Sequence, residues 1–164
     1  MWVVNLLIVA GSFLSMEGLA WLTHKYVMHG ILWVLHEDHH KKKPASFFEK
    51  NDYFFLIFAI PGILFLASGI YSPQPVLFYI GSGITLYGFT YFLVHDIFIH
   101  RRFKLFRNAD NFYFKAIRRA HKRHHKNLDK EHGECFGMLL VPFGYFKDAI
   151  RATSKTRDKK SANA

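Results

Sequence analysis

The chain has 164 residues, enough for one domain, with 51% hydrophobic and 18% aromatic side chains and a formal charge of +10. That charge would raise nucleic-acid binding, but its distribution argues against it: Tyr53–Val94 holds no Lys, Arg, Asp, Glu or His, and Met1–Thr23 holds only Glu17. Such segregation is what a bilayer imposes, and the single cysteine, Cys135, excludes an intrachain disulfide and thiolate metal sites.

In chain order, Trp2 to about Leu22 is long enough to span as a helix and reads as a retained span rather than a signal peptide, having no basic n-region. The uncharged run Tyr53–Val94 is about twice a span's length and is broken by Tyr71-Ser-Pro-Gln-Pro75. It therefore divides into spans of about Tyr53–Ile70 and Val76–Val94 joined by a hairpin. A basic amphipathic helix is predicted over about Asn111–Lys126. The apolar stretch Glu134–Phe146 is short and interrupted by Pro142, so it reads as a re-entrant or interfacial segment or an irregular fourth helix. The expected fold is an all-α integral membrane bundle of three to four transmembrane helices over residues 1–150, followed by a disordered basic tail, Arg151–Ala164.

Ten of the eleven histidines fall into four clusters. His24/His29 and His95/His100 are spaced HxxxxH; His36/His39/His40 and His121/His124/His125 are spaced HxxHH. The predicted spans put all four clusters on one side of the membrane together with the basic loop Lys41–Lys43 and Lys50. The positive-inside rule makes that side cytoplasmic and puts the N-terminus opposite. A lone histidine at a membrane boundary is commonly a polar anchor; four clusters with paired spacing on one side read as metal ligands. His132 lies outside the pattern and reads as a loop histidine.

In HxxHH, positions i, i+3 and i+4 share a helix face, so His36, His39 and His40 are predicted to converge, as are His121, His124 and His125. In HxxxxH, five residues turn a regular helix by roughly 500°, leaving the rings roughly 140° apart. Either the helix ends between them, or a wide turn realigns them, or each serves a different ion. All-nitrogen sites suit zinc, iron, copper and nickel alike. Ten histidines without a required carboxylate suit two shells of five or six ligands with room for oxygen, which selects two iron ions, zinc being a possible occupant in an overproduced sample. Glu17 lies two helical turns before His24 within a span and is the strongest candidate to orient a ligand, with Asp38 and Asp96 as further candidates. The alternative for Glu17 is a residue that stays protonated or reaches for the interface.

The stretches Glu17–His40, His95–Arg102, Ala120–His125 and Gly133–Gly137 resemble the bacterial β-carotene hydroxylases of the fatty acid hydroxylase superfamily, over about residues 10–146. The wording around Glu134-Cys135-Phe136 departs from that family's. The resemblance implies O₂-dependent hydroxylation of β-ionone rings at C3 in the bacterial inner membrane, taking β-carotene through β-cryptoxanthin to zeaxanthin. It also implies the ten histidines as ligands of two iron ions, a carotenoid drawn from the bilayer, surrounding membrane lipids and a ferredoxin-type electron donor. A non-enzymatic metal transporter is disfavoured, because transport places ligands near the membrane midplane.

Overall fold

A backbone in hydrocarbon must satisfy its own N–H and C=O groups, so the uncharged stretches fold as helices. The computed structural model describes residues 1–41, 47–73, 75–103, 105 and 111–162, and contains no strand among them. The helices are α1 (Trp2–Leu22), α2 (Trp33–His40), α3 (Tyr53–Tyr71), α4 (Val76–Tyr91), α5 (Phe112–His124) and α6 (Phe143–Ala162). A π-helical segment, Thr23–Ile31, prolongs α1; a second, Phe92–Ile99, prolongs α4; a 3₁₀ turn, Lys50–Asp52, leads into α3. With these extensions, three helices are long and apolar enough to cross a membrane: Trp2–Ile31, Lys50–Tyr71 and Val76–Ile99. Lys42, Lys43 and Gln74 of the predicted loops lie outside the described residues.

Residues 127–142 are irregular and contribute no fourth span; helix resumes at Phe143, directly after Pro142. The C-terminus differs from expectation, since α6 runs through the predicted disordered tail as far as Ala162. No Gly or Pro follows Gly144, Ala, Lys and Arg favour helix, and the helix is anchored on α5. There Ala149 is fully buried, Tyr113 stacks on Phe146 at 5.9 Å, and the Lys115 ammonium donates to Thr153 Oγ1 at 3.4 Å.

Helix α4 is the centre of the spans, with α1 and α3 packed on either side of it and in little contact with each other. Small residues allow the close approach. A Cβ at Gly83 would stand 2.6 Å from Val9 O and from Ser12 Cβ on α1; one at Gly81 would stand 2.6 Å from Leu66 N on α3. The outer faces, such as Leu6, Leu7 and Leu14 on α1 and Ile57, Ile60 and Leu64 on α3, stay exposed, as lipid-facing side chains do.

Candidate metal centre

The π-helical segments coincide with the two HxxxxH clusters. Leu32 N–H donates to Val27 O and His100 N–H to His95 O, each at 2.9 Å and five residues back. An i→i+5 turn stacks residues five apart on one face, so the wide turn brings His24 beside His29 and His95 beside His100. The first segment then breaks at Gly30, whose φ/ψ of −113°/−115° is non-helical.

The ten rings sort into two groups. Ring nitrogens of His24, His29, His36, His40 and His124 lie within 4.8 Å of one another, and so do those of His39, His95, His100 and His121. His125 joins the second group, its Nε2 2.8 Å from His121 Nε2. The HxxHH clusters therefore do not converge as predicted. The i and i+4 members, His36 with His40 and His121 with His125, share a group, while His39 and His124 cross to the other. Positions i and i+4 stand only about 40° apart on a helix, whereas i+3 lies about 60° to the other side of i; between two adjacent sites that offset sends the i+3 ring to the second one.

In the first group every Nδ1 faces an oxygen. The acceptors are Phe136 O for His24 (3.0 Å), Lys130 O for His29 (3.1 Å), Asn51 Oδ1 for His36 (2.6 Å), Asn127 O for His40 (2.8 Å) and Glu134 O for His124 (2.9 Å). An oxygen of this kind only accepts, so each ring carries its proton on Nδ1 and turns a bare Nε2 inward. These lone pairs meet at 3.1 Å (His24–His36) and 3.2 Å (His29–His124, His36–His40). Lone pairs facing one another without a proton repel; a cation among them turns repulsion into coordination. A proton is a poor substitute, because burial pushes His36 down to about 2, His124 to about 3 and His40 to about 4. The donor set thus fits a metal ion.

The second group has carboxylates beside two of its rings. His39 Nδ1 donates to Glu49 Oε2 at 2.6 Å, and His95 Nδ1 stands 3.5 Å from Asp96 Oδ2. Arg102 ties this cluster together, 3.4 Å from Glu49, 2.9 Å from Asp52 and 3.3 Å from Asp96. Burial pushes His125 down to about 2 and holds His39 and His121 well below the ordinary range, with neighbouring imidazoles adding to the effect.

Of the three carboxylates predicted to orient ligands, only Asp96 approaches a ring. Asp38 Oδ2 accepts the Lys50 N–H at 2.7 Å, and Glu17 is bound to the 138–140 backbone and Tyr87. His24, two turns along α1 from Glu17, takes the Phe136 carbonyl instead. Glu49 and Asn51 escaped the sequence reading, as did the carbonyls of residues 127–136. Glu49 and Asn51 lie outside the clusters in sequence, and a backbone carbonyl has no sequence signature. His132 is an exposed loop residue with φ of 62°, as its reading implied.

A cavity of about 540 Å³ lies between α1, α3 and α4. Its walls include Phe54, Phe55, Phe58, Ile63, Phe89 and Phe92, and it reaches His24 of one group and His95 of the other.

The chain is 39% identical to a β-carotene hydroxylase of Pantoea ananas, over 87% of this chain and 80% of the relative. It is 41% identical to one of Pseudescherichia vulneris, over 84% and 77%. It is 37% identical to the chloroplastic β-carotene 3-hydroxylase 1 of Arabidopsis thaliana, over 80% of this chain and 43% of that longer protein. No solved structure matches the chain. The fatty acid hydroxylase family model matches residues 9–145, a range that holds most of the first membrane helix, the whole of the other two and all ten clustered histidines, and the chain belongs to that family.

Proposed function

We propose that the chain is a β-carotene 3-hydroxylase that converts β-carotene through β-cryptoxanthin to zeaxanthin. The observation that carries this reading is the phenylalanine-walled cavity reaching both histidine groups. Its position between α1 and α3, which flank α4 and barely touch, gives a rigid apolar polyene a way in from the lipid. The relatives named above as β-carotene hydroxylases support the substrate class.

The first ion is held by His24, His29, His36, His40 and His124, and the second by His39, His95, His100, His121 and His125. Two iron ions bound there would supply, with O₂, two electrons and two protons, the oxidation that replaces a ring C–H by C–OH and releases the second oxygen atom as water. The protein supplies the placement. Nδ1 bonds fix the five rings of the first group and His39 of the second, which is what an outer hydrogen bond contributes to a metal site. The phenylalanines of α3 and α4 seat the β-ionone ring beside His24 and His95 and exclude water. No acidic proton or leaving group exists on that ring carbon, so the carboxylates nearby serve orientation and charge balance.

The metal-bearing side is cytoplasmic, in a bacterial inner membrane, with the N-terminus opposite. Arg101, Arg102, Lys122 and Arg123 lie on that side; the exposed ones meet anionic lipid or an acidic ferredoxin-type donor.

The test is pigment chromatography of a β-carotene-accumulating bacterial host expressing the chain beside His124→Ala. Zeaxanthin and β-cryptoxanthin formed by the wild type alone are expected. Unchanged β-carotene, with the wild type membrane-inserted, iron-loaded and supplied with reductant, overturns the proposal and directs the search to acyl-lipid and sterol substrates.

A further inference from the structure

Glu17 is buried on α1 at 7% exposure, and its carboxylate accepts four hydrogen bonds from the described residues. Its Oε1 accepts three consecutive backbone N–H groups, from Met138 (3.0 Å), Leu139 (2.9 Å) and Leu140 (2.9 Å). Its Oε2 accepts the Tyr87 hydroxyl at 2.7 Å. Successive N–H groups converging on one oxygen form an anion nest. The turn that builds it is tight: a Cβ at Gly137 would fall 2.1 Å from Leu140 O and 3.5 Å from Glu17 Oε1. Glu17 therefore joins α1, α4 and the 133–140 loop at one point.

That loop carries two of the five acceptors of the first histidine group, those of His24 and His124. Phe136 O, two residues before the nest, orients His24, and Glu134 O orients His124; Lys130 O and Asn127 O, further back, orient His29 and His40. In the second group, His39 donates to Glu49 and His95 stands beside Asp96, both remote from this loop in sequence.

We propose that Glu17 is a positioning residue for the first group alone: it pins the loop whose carbonyls hold His24 and His124 with Nε2 inward. The inference rests on the reading of the two groups as metal sites. A glutamate that merely held the fold together would affect both groups alike, so the two roles separate by experiment.

Glu17→Gln and Glu17→Ala are placed in two backgrounds, His39→Ala, which spares the first group, and His124→Ala, which spares the second. Cobalt(II) affinity is measured on the detergent-solubilised full chain by competition with a chelator. An outer hydrogen-bond partner is worth roughly 10–100-fold in metal affinity. The expected result is a loss in that range at the first group, larger for Ala than for Gln, with the second group changed by less than about twofold on the same scale. Tyr87→Phe, which leaves the nest intact, is expected to cost less than either. Should Glu17→Ala fail to accumulate, Glu17→Gln decides. Equal losses at both groups, or none at either, overturn the assignment. A wild-type chain that binds no cobalt overturns the metal-site reading itself, a result distinct from wild-type binding that Glu17 leaves untouched.

Discussion

Asn51→Leu tests whether hydrogen bonds behind the rings set metal affinity. His36 is 1% exposed, and its Nδ1 partner is Asn51 Oδ1 at 2.6 Å. Its Nε2 stands 3.1 Å from His24 Nε2 and 3.2 Å from His40 Nε2, so the ring is wedged among other ligands. Leucine keeps the branching and heavy-atom count of asparagine and removes the acceptor. A buried N–H left without a partner costs about 1–3 kcal/mol, and the proton is then free to move to Nε2, where it blocks the lone pair. About 1.4 kcal/mol is tenfold in an equilibrium constant, so the weakening expected is of order 10–100-fold, the range seen for outer partners of metal ligands. Asn51→Asp keeps an acceptor oxygen and is expected to bind as tightly as the wild type or better. The assay is chelator competition with cobalt(II), monitored by its absorption. An Asn51→Leu chain with wild-type affinity, where His36→Ala loses binding, would show that the Asn51 bond does not set metal affinity.

Three further outcomes are expected. Burial holds His36, His40, His124 and His125 below their ordinary range, at about 2 to 4, whereas the unfolded chain takes up these protons from about pH 6.5 downward. Stability is therefore full above that pH and is lost progressively as pH falls toward about 2; the melting midpoint of the metal-free solubilised protein should drop between pH 7 and pH 5, and a flat profile would contradict it. Gly88 lines the cavity, and a Cβ there meets nothing within 4 Å; Gly88→Phe should abolish xanthophyll formation while iron per chain, measured by elemental analysis, stays at the wild-type value. Gly83→Leu forces α1 from α4, overpacking that costs about 1–3 kcal/mol or more, and should reduce monodisperse protein on size exclusion, whereas Gly11→Ala, with open space around it, should not.

Much of this arrangement is legible in the residues. An uncharged run broken by Pro73 and Pro75 has few ways to cross a bilayer, and the three spans follow from it. The HxxxxH spacing poses a definite geometric problem, and the π turn is one of the solutions it allows; the sequence does not choose among them, because the choice depends on what stands opposite. The split of HxxHH is illegible for the same reason. Whether i+3 joins i and i+4 depends on a second site beside the first, and a helix read in isolation has only one face. Glu17 stands out as a charge within a span, yet its partners are backbone amides 121–123 residues away, which no side-chain pattern advertises. The helix through Arg151–Ala162 is hard to see in a polar stretch with few apolar residues, where composition favours a solvated chain although Ala, Lys and Arg favour helix locally.

In the proposed reaction this chain inserts one oxygen atom of O₂ into each carotenoid ring. Supplying ¹⁸O₂ to a β-carotene-accumulating host and analysing the pigments by mass spectrometry separates O₂ from water as the source. Zeaxanthin carrying two ¹⁸O atoms is expected with the wild type and is expected to be absent from a His124→Ala host. Zeaxanthin labelled from water instead, or β-carotene left unchanged by a folded, iron-loaded and reduced protein, rules that reaction out.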